Sequence, residues 1–172
     1  GIDHDVWLWG SQILIHVSDN AEVYNNTVYI HAGDYGGNGI GIMNYNRPSE
    51  EYGDFYGMNN YIHHNEITHL GLYGSHGIVD DGEVGTDYYY DGDGDGAPDW
   101  GCSSQANNLF DYNSYHHNGI PEKFQFCETG GQEYFTWDEF RAFGQESNGT
   151  MDSNVIIPDD TPPKVCTICP GL

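Results

Sequence analysis

Three stretches of the chain share one pattern: Val23-Tyr24-Asn25-Asn26-Thr27-Val28, Ile62-His63-His64-Asn65-Glu66-Ile67 and Phe110-Asp111-Tyr112-Asn113-Ser114-Tyr115. Each reads apolar, two variable residues, Asn, one variable residue, apolar. An apolar strand follows each Asn after 13, 12 and 11 residues, at 39–42, 77–79 and 124–126. The Asn positions are 39 and 48 residues apart, so variable loops separate the units. A recurring strand–turn–strand unit cannot bury its apolar face alone, and stacking it on a copy solves that problem. Asn suits the turn, because it tolerates the left-handed backbone region and its amide can bond to an Asn one coil away. Asn26, Asn65 and Asn113 are therefore expected to form a structural ladder. The pattern predicts an all-β chain, a right-handed parallel β-helix of about four coils. An ordinary β-sandwich with Asn-rich turns is the competing arrangement.

Charge narrows the partners. Asp and Glu number 27 against 4 Lys and Arg, a net charge of −23. Phosphate binding needs Lys and Arg, so nucleic acid and anionic membrane are not expected partners. The 14 Tyr, 7 Phe and 4 Trp are too much aromatic surface for a solvated acidic tail. No apolar run approaches membrane-spanning length, and no signal peptide is read. The start at Gly1-Ile2 reads as the inside of a coil, so residues upstream are expected. The balance fits a cation-binding, extracellular or high-salt protein, and the chain is expected to be secreted or at the cell surface.

Residues 1–154 read as the coil domain. Val6 to Val17 carry two strands of an early coil, residues 82–106 are an insertion, and residues 107–127 are the last recognisable coil. Thr136-Trp137-Asp138-Glu139 is a capping box that opens a short helix ended by Gly144. Trp137, Phe140 and Phe143 form one apolar stripe on it. This stripe is expected to cover the open bottom of the stack, whose edges would otherwise be unpaired. Residues 155–172 are an extended Pro-rich tail, which needs a disulfide or another chain to dock it.

The coil consensus over residues 20–28 and 37–42, and the ending over residues 107–113, 135–140 and 144–150, resemble the secreted right-handed parallel β-helix proteins of the pectate-lyase-like superfamily. The likeness runs over residues 6–154. It implies recognition or cleavage of acidic polysaccharide, although fold does not settle function.

Asp91-Gly92-Asp93-Gly94-Asp95-Gly96-Ala97-Pro98-Asp99 is the strongest chemical motif. Alternating carboxylates with intervening Gly can wrap hard oxygens around Ca²⁺. The EF-hand form fails, because its last ligand position is Cys102. The stretch resembles a thrombospondin type 3 calcium repeat, which implies Asp91, Asp93, Asp95 and Asp99 as ligands, with Asp87 joining them. Four carboxylates within nine residues repel one another unless a cation neutralises them.

Ser75-His76-Gly77-Ile78-Val79-Asp80-Asp81 sets a His near paired carboxylates, a combination that can serve glycoside hydrolysis. Adjacent Asp residues on a strand point oppositely, however, which does not suit a matched pair. The stretch reads instead as a solvated turn. A lyase needs a basic side chain; Arg47 and Lys123 are expected near coil-end loops, Arg141 on the helix and Lys164 on the tail. No catalytic set emerges. His63, His64, His69, His116 and His117 read as ring-stacking or surface residues before metal ligands. Cys102, Cys127, Cys166 and Cys169 permit three disulfide pairings. Sequons mark Asn25 and Asn148 as N-glycan acceptors.

Two functions compete. One is a calcium-binding extracellular domain that binds polysaccharide or, as an enzyme, cleaves it by lysis or hydrolysis. The other is a structural subunit of a filament or surface assembly that self-associates by coil stacking and tail docking.

Overall fold

The computed structural model describes residue 8 and residues 10–31, 37–44, 57–80, 106–120, 122–126 and 134–154. In chain order the strands begin with β1 (Ser11–His16), β2 (Glu22–Tyr24), β3 (Thr27–Ile30) and β4 (Asn38–Asn44). There follow β5 (Tyr61–His63), β6 (Glu66–His69), β7 (His76–Asp80), β8 (Leu109–Asp111), β9 (Ser114–His117) and β10 (Glu122–Phe126). Then come β11 (Phe135–Thr136), helix α1 (Trp137–Ala142) and β12 (Thr150–Asp152).

Among the described residues these strands make three sheets, with orders β1-β4-β7-β10-β11, β12-β9-β6-β3 and β2-β5-β8. Every pairing is parallel except β10 with β11. Each repeated unit gives one strand to each sheet, because parallel neighbours need a crossover and the unit supplies it. The described chain is thus all-β, with parallel sheets and one short helix.

Register lines up the apolar positions. Val23, Ile62 and Phe110 share one row, and Val28, Ile67, Tyr115 and Met151 another. Ile15, Ile42, Ile78 and Phe126 share a third. Side chains alternate across a strand, so each row lies wholly on one face. Ile42, Ile62, Ile67, Ile78, Phe110 and Tyr115 are fully buried there. Each such burial contributes about 1.5–3 kcal/mol.

The turns correct one expectation. The left-handed residue is not the ladder Asn but the one before it: Asn25 (φ 56°), His64 (φ 53°) and Tyr112 (φ 59°). The Asn that follows is freed from making the bend, and its amide turns along the stack.

Helix α1 starts as the capping box predicts. Thr136 accepts from the Glu139 backbone N–H, and Glu139 accepts from the Thr136 N–H. The helix ends at Ala142, with Phe143 as its cap and Gly144 at φ 85°. Phe140 is fully buried, stacked on Phe124 at 4.8 Å and edge-on to Phe110 at 5.9 Å. Phe143 stacks on Phe126 at 4.6 Å. The apolar stripe therefore packs over β10 and the end of the β8 row.

Candidate functional site

The turn between each β2-type and β3-type strand carries the ladder. Asn65 Oδ1 accepts from the Asn26 amide at 2.9 Å and from the Asn26 backbone N–H at 3.0 Å. Asn113 Oδ1 accepts the same two groups of Asn65, each at 2.9 Å. The Glu146 carboxylate closes the row on Asn113 and also accepts from the Tyr115 hydroxyl at 2.8 Å. A second row runs beside it. Asn60 donates to Asn108 Oδ1 at 3.0 Å, and Gln145 Oε1 accepts from the Phe110 N–H at 2.8 Å. At the top of that row stands Ala21, whose backbone N–H is taken by Asn60 Oδ1.

These rows border an outer face. Strands β2, β5 and β8 turn Glu22 and Tyr24, Tyr61 and His63, and Leu109 and Asp111 away from the apolar row. Tyr24 and His63 are cross-strand partners, and their rings lie parallel at 5.2 Å. His63 stacks on Tyr61 at 4.1 Å as well. One position along, His64 and Tyr112 stack at 5.1 Å with planes 8° apart. Tyr24 and Tyr112 each give one ring face to an imidazole and remain 50% and 47% exposed.

Polar groups thread between the rings. His63 Nε2 lies 2.8 Å from Glu22 Oε1, and His63 Nδ1 lies 2.7 Å from His64 Nδ1. An ionised carboxylate only accepts, so His63 donates from Nε2. In its neutral form it then accepts at Nδ1 from His64. Asp111 accepts from the backbone N–H and side-chain amide of Asn148, at 2.6 and 2.8 Å. Burial first, and then the Asp111 carboxylate, push the Tyr61 phenol above its ordinary value. The face therefore offers the half-exposed rings of Tyr24 and Tyr112 and the exposed Glu22 carboxylate, with Asp111 buried beneath them on Asn148.

Several expectations are corrected here. His76 is not in a solvated turn; it lies in β7 with no exposed surface, next to a Ser75 that is also buried. His69 and His117 are buried too, on the row that begins with Ile30 in β3. Imidazoles thus occupy inward positions that the repeat gives to aliphatic residues. His69 Nδ1 meets His76 Nε2 at 3.1 Å, and the rings of His76 and His117 stack at 5.4 Å. Burial drives His69 and His117 down to about 3 and His76 well below its ordinary value, so all three are neutral. Lys123 is not on a loop surface. It is 1% exposed in β10, donates to the Gly71 carbonyl at 2.9 Å, and is lowered to about 8 by burial.

Asn25 is exposed in its turn, and Asn148 is exposed but bonded to Asp111. Asp87, Asp91, Asp93, Asp95 and Asp99 lie outside the described residues, as do Cys102, Cys127, Cys166 and Cys169. So do Asp81, Arg47, Lys164 and residues 155–172. Among the described residues no group of three or more His, Cys, Asp or Glu is placed to share a metal ion. Among them, too, no helix is long and apolar enough to cross a membrane. Sequence reading missed Glu146 and the second Asn row. The doublets Asn59-Asn60 and Asn107-Asn108, spaced 48 apart like Asn65 and Asn113, carried a signal for the row. No family model matches the chain, and no curated protein or solved structure matches it.

Proposed function

We propose that the chain is a right-handed parallel β-helix domain of an extracellular protein, and that its β2-β5-β8 outer face binds polysaccharide. One observation carries the reading. Half-exposed Tyr24 and Tyr112 are braced by His63 and His64 on consecutive strands, with Glu22 and Asp111 beside them. Sugar rings present apolar C–H faces to aromatic planes and hydroxyls to carboxylate and imidazole groups. A preformed row of both suits an extended glycan, because little ordering cost remains on binding. The parallel sheets, each drawing one strand from each unit, support the coil stack. In this reading Ca²⁺ neutralises the 82–106 insertion through Asp87, Asp91, Asp93, Asp95 and Asp99.

Binding in place of cleavage fits the cations. Arg141 bonds the Glu146 carbonyl and sits over Trp137, and Lys123 is buried, so neither described cation reaches this face. The test is retention on a panel of immobilised neutral and acidic polysaccharides in excess Ca²⁺. At least one glycan is expected to retain the protein, and Tyr24→Ala with Tyr112→Ala is expected to lose tenfold or more in affinity. Failure to bind any glycan would contradict the reading.

A further inference from the structure

A second polar constellation lies on a different face, the outer side of the β3-β6-β9-β12 sheet. Register places Thr27, Glu66, Ser114 and Thr150 in one row and Tyr29, Thr68, His116 and Asp152 in the next. His116 is therefore the diagonal neighbour of Glu66 and the direct neighbour of Asp152.

The three side chains are unequally joined. His116 Nδ1 lies 2.7 Å from Asp152 Oδ1, a charge-assisted bond. That bond from His116 is the chief reason the Asp152 carboxyl is held below its ordinary value. Asp152 is itself fixed, since Oδ1 accepts from the Asn154 N–H at 2.8 Å and Oδ2 from the Asn154 amide at 2.9 Å. The imidazole is thus locked in one orientation with its Nδ1 proton on Asp152. His116 is 8% exposed, and its other nitrogen, Nε2, has no hydrogen-bond partner among the described residues. That nitrogen faces Glu66 Oε1 across 3.5 Å, while the Glu66 side chain is 44% exposed and open to solvent.

The gap is informative. A hydrogen bond between a charged imidazole and a carboxylate closes to about 2.7–2.9 Å, as the Asp152 side does. A separation of 3.5 Å is too long for that bond. It is the span of one ion bonded to both atoms: bonds of about 2.0–2.2 Å to nitrogen and oxygen enclose an angle of roughly 110–120° at the metal, near tetrahedral. A carboxylate that fixes the far nitrogen of a ligating imidazole is the usual support of such a site.

We propose that His116 Nε2 and the Glu66 carboxylate form a two-ligand platform for a borderline divalent cation of the Zn²⁺, Cu²⁺ or Ni²⁺ class, with Asp152 as positioning residue. Water completes the coordination shell from the side of the exposed Glu66 carboxylate. The nitrogen donor selects this class over Ca²⁺ and Mg²⁺, which prefer oxygen alone. The site lies on a different sheet from the glycan face.

The test is Zn²⁺ titration of the whole chain in excess Ca²⁺, which occupies sites made only of oxygen, followed through the imidazole ¹⁵N resonances. The His116 Nε2 resonance is expected to move on Zn²⁺ addition and to ignore Ca²⁺. Glu66→Gln keeps the His116–Asp152 bond, so the fold is retained; it is expected to weaken Zn²⁺ at His116 tenfold or more. Asp152→Asn is expected to weaken it less. An Nε2 resonance indifferent to Zn²⁺, or unchanged affinity at His116 in Glu66→Gln, would overturn the proposal.

Discussion

The Asn113 side-chain amide donates to Glu146 Oε1 across 2.6 Å, and the Asn113 backbone N–H donates to Glu146 Oε2 across 3.2 Å. A carboxylate thereby ends a row built otherwise of Asn. Glu146 has no exposed surface, and burial raises it to about 7 against the donors that pull it down. Unfolded, the same group titrates near 4.5. The folded chain holds this proton more tightly, so its contribution is complete below about pH 4.5 and is lost as pH rises through about 7. The loss is on the order of 3 kcal/mol. The urea midpoint of Glu146→Gln minus that of wild type is expected to rise as pH goes from about 4.5 to about 7, a difference that separates this carboxyl from the buried imidazoles.

The buried imidazoles act in the opposite direction. His69 and His117 are lowered from 6.5 to about 3. Their contribution is complete above pH 6.5 and is lost as pH falls toward 3. Among the described residues His117 has no hydrogen-bond partner on either ring nitrogen. Replacing a buried unsatisfied polar group by an apolar one recovers about 1–3 kcal/mol. His117→Leu is expected to raise the thermal midpoint, and to raise it more at pH 5 than at pH 7.5. A destabilised variant at pH 5 would contradict this.

Ladder position sets the cost of losing an Asn. Asn65 is 2% exposed and serves both neighbours, Asn26 above and Asn113 below. Asn65→Ala is expected to cost about 2–4 kcal/mol, since it strands buried partners on both sides. Asn26→Ala leaves Asn65 Oδ1 its bond from the residue-26 backbone N–H and is expected to cost about 1 kcal/mol. Chemical denaturation of the two variants measures the order.

A methyl group built on Gly39 would overlap the His76 ring at Nδ1 and Cε1. Gly39→Ala is expected to destabilise by about 1–3 kcal/mol through overpacking. His76→Ala in the same chain is expected to cancel most of that increment, because it removes the obstructing ring. A double-mutant cycle by thermal unfolding reads the coupling.

Sequence reading reached the units, the ladder Asn residues and the capping box because each is local and repeats with a fixed offset. It placed the left-handed backbone on the wrong neighbour, since Asn25 and Asn26 are both able to take it. It read His76 as solvated because an imidazole is polar, whereas the register seats that ring against Phe124 on one side and Gly39 on the other. Lys123 followed the same logic: its ammonium is buried on carbonyls of the 70–75 loop, a contact 52 residues away in sequence that no local pattern reports. Glu146 sits outside the repeat and joins the row only through folding. The pairing of Tyr24 and Tyr112 with His63 and His64 depends on strand register, which no local pattern reports.

The most direct test of the account maps the glycan. With a polysaccharide fragment that the protein retains, the ring resonances of Tyr24, Tyr61, His63, His64 and Tyr112 are expected to shift together on titration. The methyl resonances of Leu72 and the ring resonances of Tyr73, an exposed pair on another loop, are expected to stay still. Shifts confined to Leu72 and Tyr73, or spread without a centre on β2-β5-β8, would contradict it.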